Sequence, residues 1–125
     1  MMSSRHPDET SEWLQGRVDS WVETYKKAML TPVVLRHILN NEPITVAELA
    51  IQVQRTTGWR LTEHGLYRTI RRLEDAALIA TKDVPAPRTG ARRKELTLSQ
   101  LGKSFLAGIE ENIIDLHEEN APPLE

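Results

Sequence analysis

Cysteine is absent from this 125-residue chain, and aromatic side chains make up only 5% of it. The absence of cysteine excludes disulfides, thiolate metal sites and cysteine nucleophiles, and it is compatible with a reducing cytosol. With so few aromatic residues, the core must be built from aliphatic side chains. No apolar run approaches the roughly 20 residues that span a bilayer, and the N-terminus lacks the apolar segment of a secretory signal. We therefore expect a cytoplasmic protein with one domain.

Residue groups that bind metals or perform chemistry are also missing. The four histidines, His6, His37, His64 and His117, are dispersed, and no pair has the spacing of metal ligands, so we expect neither a metal nor a cofactor. The chain contains no glycine-rich phosphate loop, no nucleophile beside a base and no pair of carboxylates in an apolar setting. These absences predict that the protein is not an enzyme.

Charge is unevenly distributed along the chain, although the overall net charge is only −2. Residues 55–94 contain ten basic and four acidic residues, a net charge of +6, which leaves −8 for the remainder. Segregation of this kind indicates a positive face for a polyanion such as DNA. The alternative is a mixed, solvated surface without a partner. The positions of the basic residues favour DNA, because they fall on elements suited to that contact.

The apolar spacing predicts a mainly α (α+β) fold, a winged helix-turn-helix with a two-stranded β-wing and additional N-terminal and C-terminal dimerisation helices. A winged-helix DNA-binding domain that includes the N-terminal helix is expected over residues 11–98. A C-terminal dimerisation helix over 99–119 follows, flanked by a disordered N-terminus over 1–10 and a tail over 120–125. Within this plan we expect helices at 11–30, 32–40, 46–57, 62–77 and 99–119, and strands at 78–84 and 92–98.

The helix at 62–77 and the wing are the predicted DNA-binding elements. A recognition helix contacts base edges through its N-terminal residues, and residues further along meet phosphates. The wing would contact the backbone or minor groove beside it. The candidate residues in the helix are Thr62, Glu63, His64, Tyr67, Arg68, Arg71 and Arg72, and those in the wing are Arg88, Thr89, Arg92, Arg93 and Lys94.

The two end helices carry apolar stripes that the core can cover only in part. A second copy of the chain would cover them, and a homodimer would place two recognition helices on a palindrome. The alternative is that both helices pack only on their own core. The predicted interface residues are Leu101, Phe105, Ile109, Ile113 and Leu116. Trp13 and Trp21 lie near one face of the first helix, where they line an effector cavity or serve as packing residues.

The segment from Leu66 to Ile79, LYRTIRRLEDAALI, resembles the LYxxLxRLExxGLI motif of PadR-family transcriptional regulators. Gly90-Ala91-Arg92-Arg93-Lys94, followed by Leu96-Thr97 and Leu101-Gly102, is similar to the wing of that family. The resemblance covers residues 31–106. It implies a bacterial or archaeal repressor that is homodimeric through its C-terminal helix, with Tyr67 near the DNA backbone. It also implies that a small aromatic effector can bind at the dimer interface.

The chain departs from the family pattern at three places, one of which is Glu95-Leu96, where the family has an aromatic-bearing strand. The family usually has Ser-x-Gly-Thr before the Leu-Tyr pair, where this chain has Thr62-Glu63-His64-Gly65, and Ala77 replaces the usual glycine before Leu-Ile. Two other functions fit the same elements: a MarR-like regulator, and a winged helix that binds an acidic protein partner rather than DNA.

Overall fold

The computed structural model describes residues 7–86, 88 and 90–116. Over these residues the chain forms four helices and a small antiparallel sheet, which confirms the predicted mainly α, winged-helix class. The elements are α1 (Pro7–Asn41), β1 (Ile44–Thr45), α2 (Val46–Thr57), α3 (Glu63–Asp75), β2 (Ile79–Pro85), β3 (Arg92–Leu98) and α4 (Gln100–Glu110).

Helix α1 is continuous over 35 residues, so the predicted break between two helices at Thr31 and Pro32 is wrong. A proline inside a helix removes one backbone hydrogen bond, at a cost of about 3 kcal/mol. Here Pro32 is buried, and Val34, Leu35 and Ile38 in the following turns are among the most deeply buried side chains of the core. Burial of several such side chains, at roughly 2 kcal/mol each, outweighs the lost bond.

The same helix begins at Pro7, so the prediction of disorder over 1–10 is wrong for residues 7–10; the first six residues lie outside the described range. Asp8 and Glu9 occupy its first turn, where negative charge interacts favourably with the helix dipole.

The sheet has three strands in the order β1-β3-β2, and β1 was not predicted. Strand β1 pairs antiparallel with β3 through Ile44 and Leu96, both of which are buried. The Glu42 carboxylate accepts a hydrogen bond of 2.8 Å from the backbone N–H of Leu98. This edge of the sheet therefore joins the end of α1 to the base of the wing.

The core is aliphatic, as the scarcity of aromatic residues predicts. Each helix contributes to one buried cluster with the sheet, whose members include Leu35, Leu49, Leu66, Leu96 and Leu106. Helix α4 can pack this closely only with glycine at Gly102, because a Cβ there would lie 2.0 Å from the carbonyl oxygen of Leu78.

Helix α4 ends at Glu110, so the predicted C-terminal helix over 99–119 is too long. Ile113 and Leu116 lie beyond it, and Leu116 is 79% exposed. Apolar spacing alone does not hold a short helix together, since most helix stability in proteins comes from tertiary packing. In the single chain these residues have little to pack against. Residues 117–119 lie outside the described range.

Candidate nucleic-acid interface

Helix α3 is held by caps at its N-terminus and by a buried face along its length. The Thr62 hydroxyl accepts a 3.0 Å hydrogen bond from the backbone N–H of Gly65. Leu66, Ile70 and Leu73 are buried at steps of four and three residues. The opposite face is therefore fixed toward solvent. The predicted side chains Thr62, Glu63, His64, Tyr67, Arg68, Arg71 and Arg72 are all exposed, on this face or at its edges.

A cleft of about 340 Å³ separates this face of α3 from the wing. It brings together five of the predicted DNA-binding residues, four from α3 and one from β3: His64, Tyr67, Arg68, Arg71 and Lys94. Three of the five are arginine or lysine, so the cleft is electropositive. A groove of this kind, with one wall a helix and the other a strand, is the concave positive surface that a phosphate backbone requires.

Glu74 also lines the cleft and was not predicted. It lies three residues after Arg71, so helical spacing alone places it on the same face. Its carboxylate accepts a hydrogen bond from the Thr81 hydroxyl of β2, which ties α3 to the wing. The acidic side chain therefore has a structural role at the base of a positive cleft.

Thr62 and Glu63 do not line the cleft, and Arg72 points toward α1 instead. Its guanidinium is 3.5 Å from the Thr31 hydroxyl of α1, and it does not line the cleft. Arg72 thus lies on the α1 side of the recognition helix, at the edge of the surface formed by the other residues.

The wing is a regular antiparallel hairpin in which Lys94 pairs with Asp83, Arg93 with Val84 and Arg92 with Pro85. Successive side chains of a strand point to opposite faces. Lys94 lines the cleft, whereas Arg93 has its guanidinium 3.8 Å from the Glu95 carboxylate on the other face. The predicted basic cluster of the wing is therefore divided between two faces.

At the tip of the wing, Ala86 and Ala91 are joined by a backbone hydrogen bond of 2.6 Å. Gly90 has a φ of 69°, a left-handed conformation that glycine adopts without the steric cost of a Cβ. Arg88 is exposed in this turn, and Thr89 lies outside the described residues.

A second groove, of about 850 Å³, lies between α1 and α4. It brings together three of the predicted interface residues, Phe105, Ile109 and Ile113, opposite Met29 and Pro32 of α1. Leu101 and Leu116 do not line it, although both are exposed. The apolar spacing of α4 alone did not indicate that α1 forms the other wall of this groove.

An ion pair connects the two helices beside this groove. The Arg36 guanidinium donates to both oxygens of Glu110, and the bond from Nε is 2.9 Å long. The hydrogen bond from Arg36 to Glu110 raises the pKa of Arg36. This bidentate contact fixes the end of α4 against α1.

The two predicted effector residues lie on the exposed N-terminal half of α1. Trp13 is 54% exposed, with the Arg17 guanidinium 5.7 Å from its ring, and Trp21 is 63% exposed. Neither residue lines the α1–α4 groove. The rings of Trp21 and Tyr25 are stacked, with centroids 5.3 Å apart, and the rings of Tyr25 and Trp59 are nearly perpendicular, with centroids 6.3 Å apart. Trp21 is therefore one end of a row of three aromatic rings.

Within the described ranges, no cluster of histidine and acidic residues could hold a metal ion. The helices within those ranges are also too short or too polar to cross a bilayer.

Helices α1, α2 and α3, the hairpin wing and the electropositive cleft between α3 and the wing define a winged helix-turn-helix protein. Residues 34–108 match the model of the transcriptional regulator PadR-like family, which is more than half of the chain. The chain therefore belongs to the PadR-like family of transcriptional regulators, and not to a family of enzymes. No curated protein matches it.

Several solved structures share this fold. A PadR-family regulator from Eggerthella lenta aligns with a TM-score of 0.68 at 23% identity, over 80% of this chain and 85% of that one. Bacillus subtilis PadR in complex with operator DNA aligns with a TM-score of 0.62 at 18% identity, over 72% of this chain and 52% of that one. A MarR-family regulator from Silicibacter pomeroyi aligns with a TM-score of 0.56 at 20% identity, over 98% and 86%.

Proposed function

We propose that the protein is a sequence-specific DNA-binding repressor that acts in the cytoplasm as a homodimer on a palindromic operator. The observation that carries the proposal is the cleft in which Arg68 and Arg71 of α3 face Lys94 of the wing. Three cations from two elements around one groove form a positive surface that suits a duplex backbone. The operator complex of Bacillus subtilis PadR supports it, because that protein shares the fold.

The residues of the proposed DNA-binding surface have different expected roles according to their position. Thr62, Glu63, His64 and Arg68 lie in the first two turns of α3, where a recognition helix contacts base edges, and arginine can donate two hydrogen bonds to guanine. Arg71 and Lys94 line the cleft and are suited to phosphate, as is the Tyr67 hydroxyl. Arg88 and Arg92 extend the phosphate contacts along the wing; Thr89, predicted to contribute as well, lies outside the described residues. Arg72 and Arg93 are at the edges and contribute less.

The proposal of a homodimer is based on exposed apolar side chains near both ends of the chain. The α1–α4 groove contains Phe105, Ile109 and Ile113, and the N-terminal half of α1 exposes Trp13, Leu14, Val18, Trp21 and Tyr25. A second copy of the chain is the simplest cover for these exposed apolar side chains. Ile113 and Leu116 would then gain a partner that the single chain does not provide.

We also propose a small effector whose binding releases the protein from its operator. The wide α1–α4 groove would become enclosed on dimerisation, and its apolar walls suit a small aromatic molecule. Trp13 and Trp21 would reach such a site only from the second copy, since neither lines the groove of its own chain.

The test is equilibrium binding to a fluorescent random duplex between 50 and 200 mM salt. Because each phosphate contact releases counterions, log K should fall linearly with log salt, with a slope near −0.9 for each contact. Lys94→Ala should lower the slope by roughly one contact, and Lys103→Ala, on the exposed face of α4, should leave it unchanged. Absence of duplex binding at 50 mM salt would refute the proposal and favour an acidic protein partner.

A further inference from the structure

A second group of cations lies outside the α3–wing cleft, where α1 meets the connection between α2 and α3. Three of the six residues around a concave surface there are basic, Lys26 and Lys27 of α1 and Arg60 of the connection, and none is acidic. We call these three residues the α1 patch. None of them lines the α3–wing cleft or the α1–α4 groove. The α1 patch is therefore separate from both surfaces described above.

The charge of the α1 patch is uncompensated within the part of the chain that the structure describes. Lys27 and Arg60 are exposed and Lys26 is half-buried. Over the described residues, none of the three forms an ion pair with a carboxylate. Uncompensated cations around one concave surface create a positive potential that attracts a polyanion.

The connection that carries Arg60 is held against the rest of the domain on both sides of that residue. Before it, the backbone N–H of Trp59 donates a 3.0 Å hydrogen bond to the Thr57 hydroxyl, and the rings of Trp59 and Tyr25 are nearly perpendicular with centroids 6.3 Å apart. After it, Leu61 packs against the buried core. Arg60 therefore lies between two anchored residues, and the α1 patch is formed before any partner binds.

The α1 patch lies on the flank of α3 that faces away from the wing. The Arg72 guanidinium is 3.5 Å from the Thr31 hydroxyl and does not line the cleft, so α1 borders this flank and the wing borders the other. Lys27 is four residues before Thr31 in the same helix, a rise of about 6 Å. Arg60 is two residues before Thr62, the N-cap of α3. The patch therefore adjoins the N-terminal end of the recognition helix.

A helix in the major groove has a phosphate backbone on each side. The groove is about 12 Å wide, and an α-helix with its side chains is roughly 10–12 Å across, so a recognition helix fills it. In the proposed complex the α3–wing cleft serves one of the two backbones. We propose that the α1 patch binds phosphates of the other strand, across the major groove from the wing. This inference rests on the proposed DNA binding and adds a second phosphate-binding surface to it.

Contacts with both strands would hold α3 in the groove from two sides. Phosphate contacts fix the register and orientation of a protein on the duplex but carry no sequence information directly. Loss of the α1 patch should therefore weaken binding to specific and random duplexes alike, and it should lower the salt dependence of both.

The first test is equilibrium binding of the full-length protein to a fluorescent random duplex at several salt concentrations. Arg60→Gln and Lys27→Gln should each reduce the magnitude of the salt slope by up to about 0.9, the value of one phosphate contact, and the double variant should reduce it further. Lys103→Gln is the matched control, because it removes one exposed cation of α4 outside the patch, and it should leave the slope unchanged. Unchanged slopes in both Arg60→Gln and Lys27→Gln would overturn the proposal.

The second test locates the contacted strand. The chain has no cysteine, so one introduced cysteine can carry a single DNA-cleaving iron chelate. Arg60→Cys and Lys94→Cys are labelled separately and bound to an end-labelled operator fragment selected from the source genome. In each half-site, the strongest cleavage from residue 60 should fall on the strand opposite to the one cut from residue 94. Cleavage of the same strand, or no cleavage from residue 60, would contradict the proposed geometry.

The outcomes separate this proposal from the proposed function. If the unaltered chain binds duplex and Lys94→Ala lowers the salt slope but Arg60→Gln does not, the proposed function stands and the α1 patch is not part of it. If the unaltered chain binds no duplex at 50 mM salt, both proposals fail. If Arg60→Gln leaves the slope unchanged and instead lowers the dimer fraction in light scattering, the patch contacts a second copy of the chain and the proposal is wrong.

Discussion

Arg93 and Lys94 are adjacent in β3, yet they serve opposite faces of the wing. Lys94 lines the cleft facing α3, and Arg93 lies 3.8 Å from the Glu95 carboxylate on the other side. In the sequence the two residues form one basic cluster with Arg92, and equal roles are expected of them. The alternation of side chains along a strand separates their roles.

The first prediction is that Lys94→Ala weakens binding to every duplex more than Arg93→Ala does. Lys94 shares a groove with Arg71, so its loss should remove about one phosphate contact and lower the salt slope by roughly 0.9. Arg93 is partly neutralised by Glu95 and should change the slope by less than half as much. Fluorescence anisotropy at several salt concentrations measures both slopes. A larger effect of Arg93→Ala would place the duplex on the other face of the wing.

The second prediction separates base recognition from phosphate binding along α3. Arg68→Ala should reduce the preference for a specific operator by about 1–3 kcal/mol, the range for a bidentate contact with guanine. Arg71→Ala should weaken specific and random duplexes to a similar degree. Operator fragments are first selected from the source genome, and competition against random duplex then gives the ratio. Equal loss of both affinities in Arg68→Ala would remove its proposed role in sequence recognition.

The elements that could be predicted from the sequence are those whose local pattern agrees with the tertiary packing. In α3, the apolar spacing of Leu66, Ile70 and Leu73 corresponds to the buried face. Pro32 predicted a break between two helices, but burial of the residues around it keeps α1 continuous. Strand β1 has two residues, too few for a period of two to be visible.

The candidate site was partly predictable for the same reason. Helical spacing places Arg68 and Arg71 on one face, and Glu74 could have been found in the same way. Which face of the wing meets α3 depends on how the hairpin folds back on the core, a long-range arrangement that no local pattern encodes. The α1–α4 groove likewise combines Met29 with Phe105, residues far apart in sequence.

The third prediction concerns Ala77, which replaces the usual family glycine. Its φ is 62°, in the left-handed region that costs a residue with a Cβ roughly 1–2 kcal/mol. Ala77→Gly should relieve that strain, and after the greater chain entropy of glycine is subtracted the net gain is about 1 kcal/mol. For a domain of this size the melting temperature should rise by roughly 4 °C.

Ala76→Gly is the matched control for this change. Ala76 is the neighbouring residue, is equally exposed and has a φ of −83°, so it carries no left-handed strain. The same substitution there should lower the free energy of unfolding by about 0.5–1 kcal/mol. Calorimetry on the two variants gives shifts of opposite sign if the backbone conformation is the cause. Destabilisation by both would show that Ala77 is not strained.

The fourth prediction tests the surface assigned to the second copy. Phe105 lines the α1–α4 groove, and a charge there would have to be buried in the dimer without a partner. Phe105→Glu should therefore yield a monomer by light scattering at concentrations where the unaltered chain has twice the monomer mass. Ala107→Glu adds the same charge to α4 at an exposed position outside the groove and should remain dimeric. A monomeric unaltered chain would contradict the homodimer, and dimers in both variants would move the interface to the N-terminal half of α1.

Two linked recognition helices bind a palindrome more tightly than one, so the Phe105→Glu monomer should also lose operator affinity. The salt dependence of random-duplex binding, expressed per chain, should stay the same because each monomer keeps its cleft.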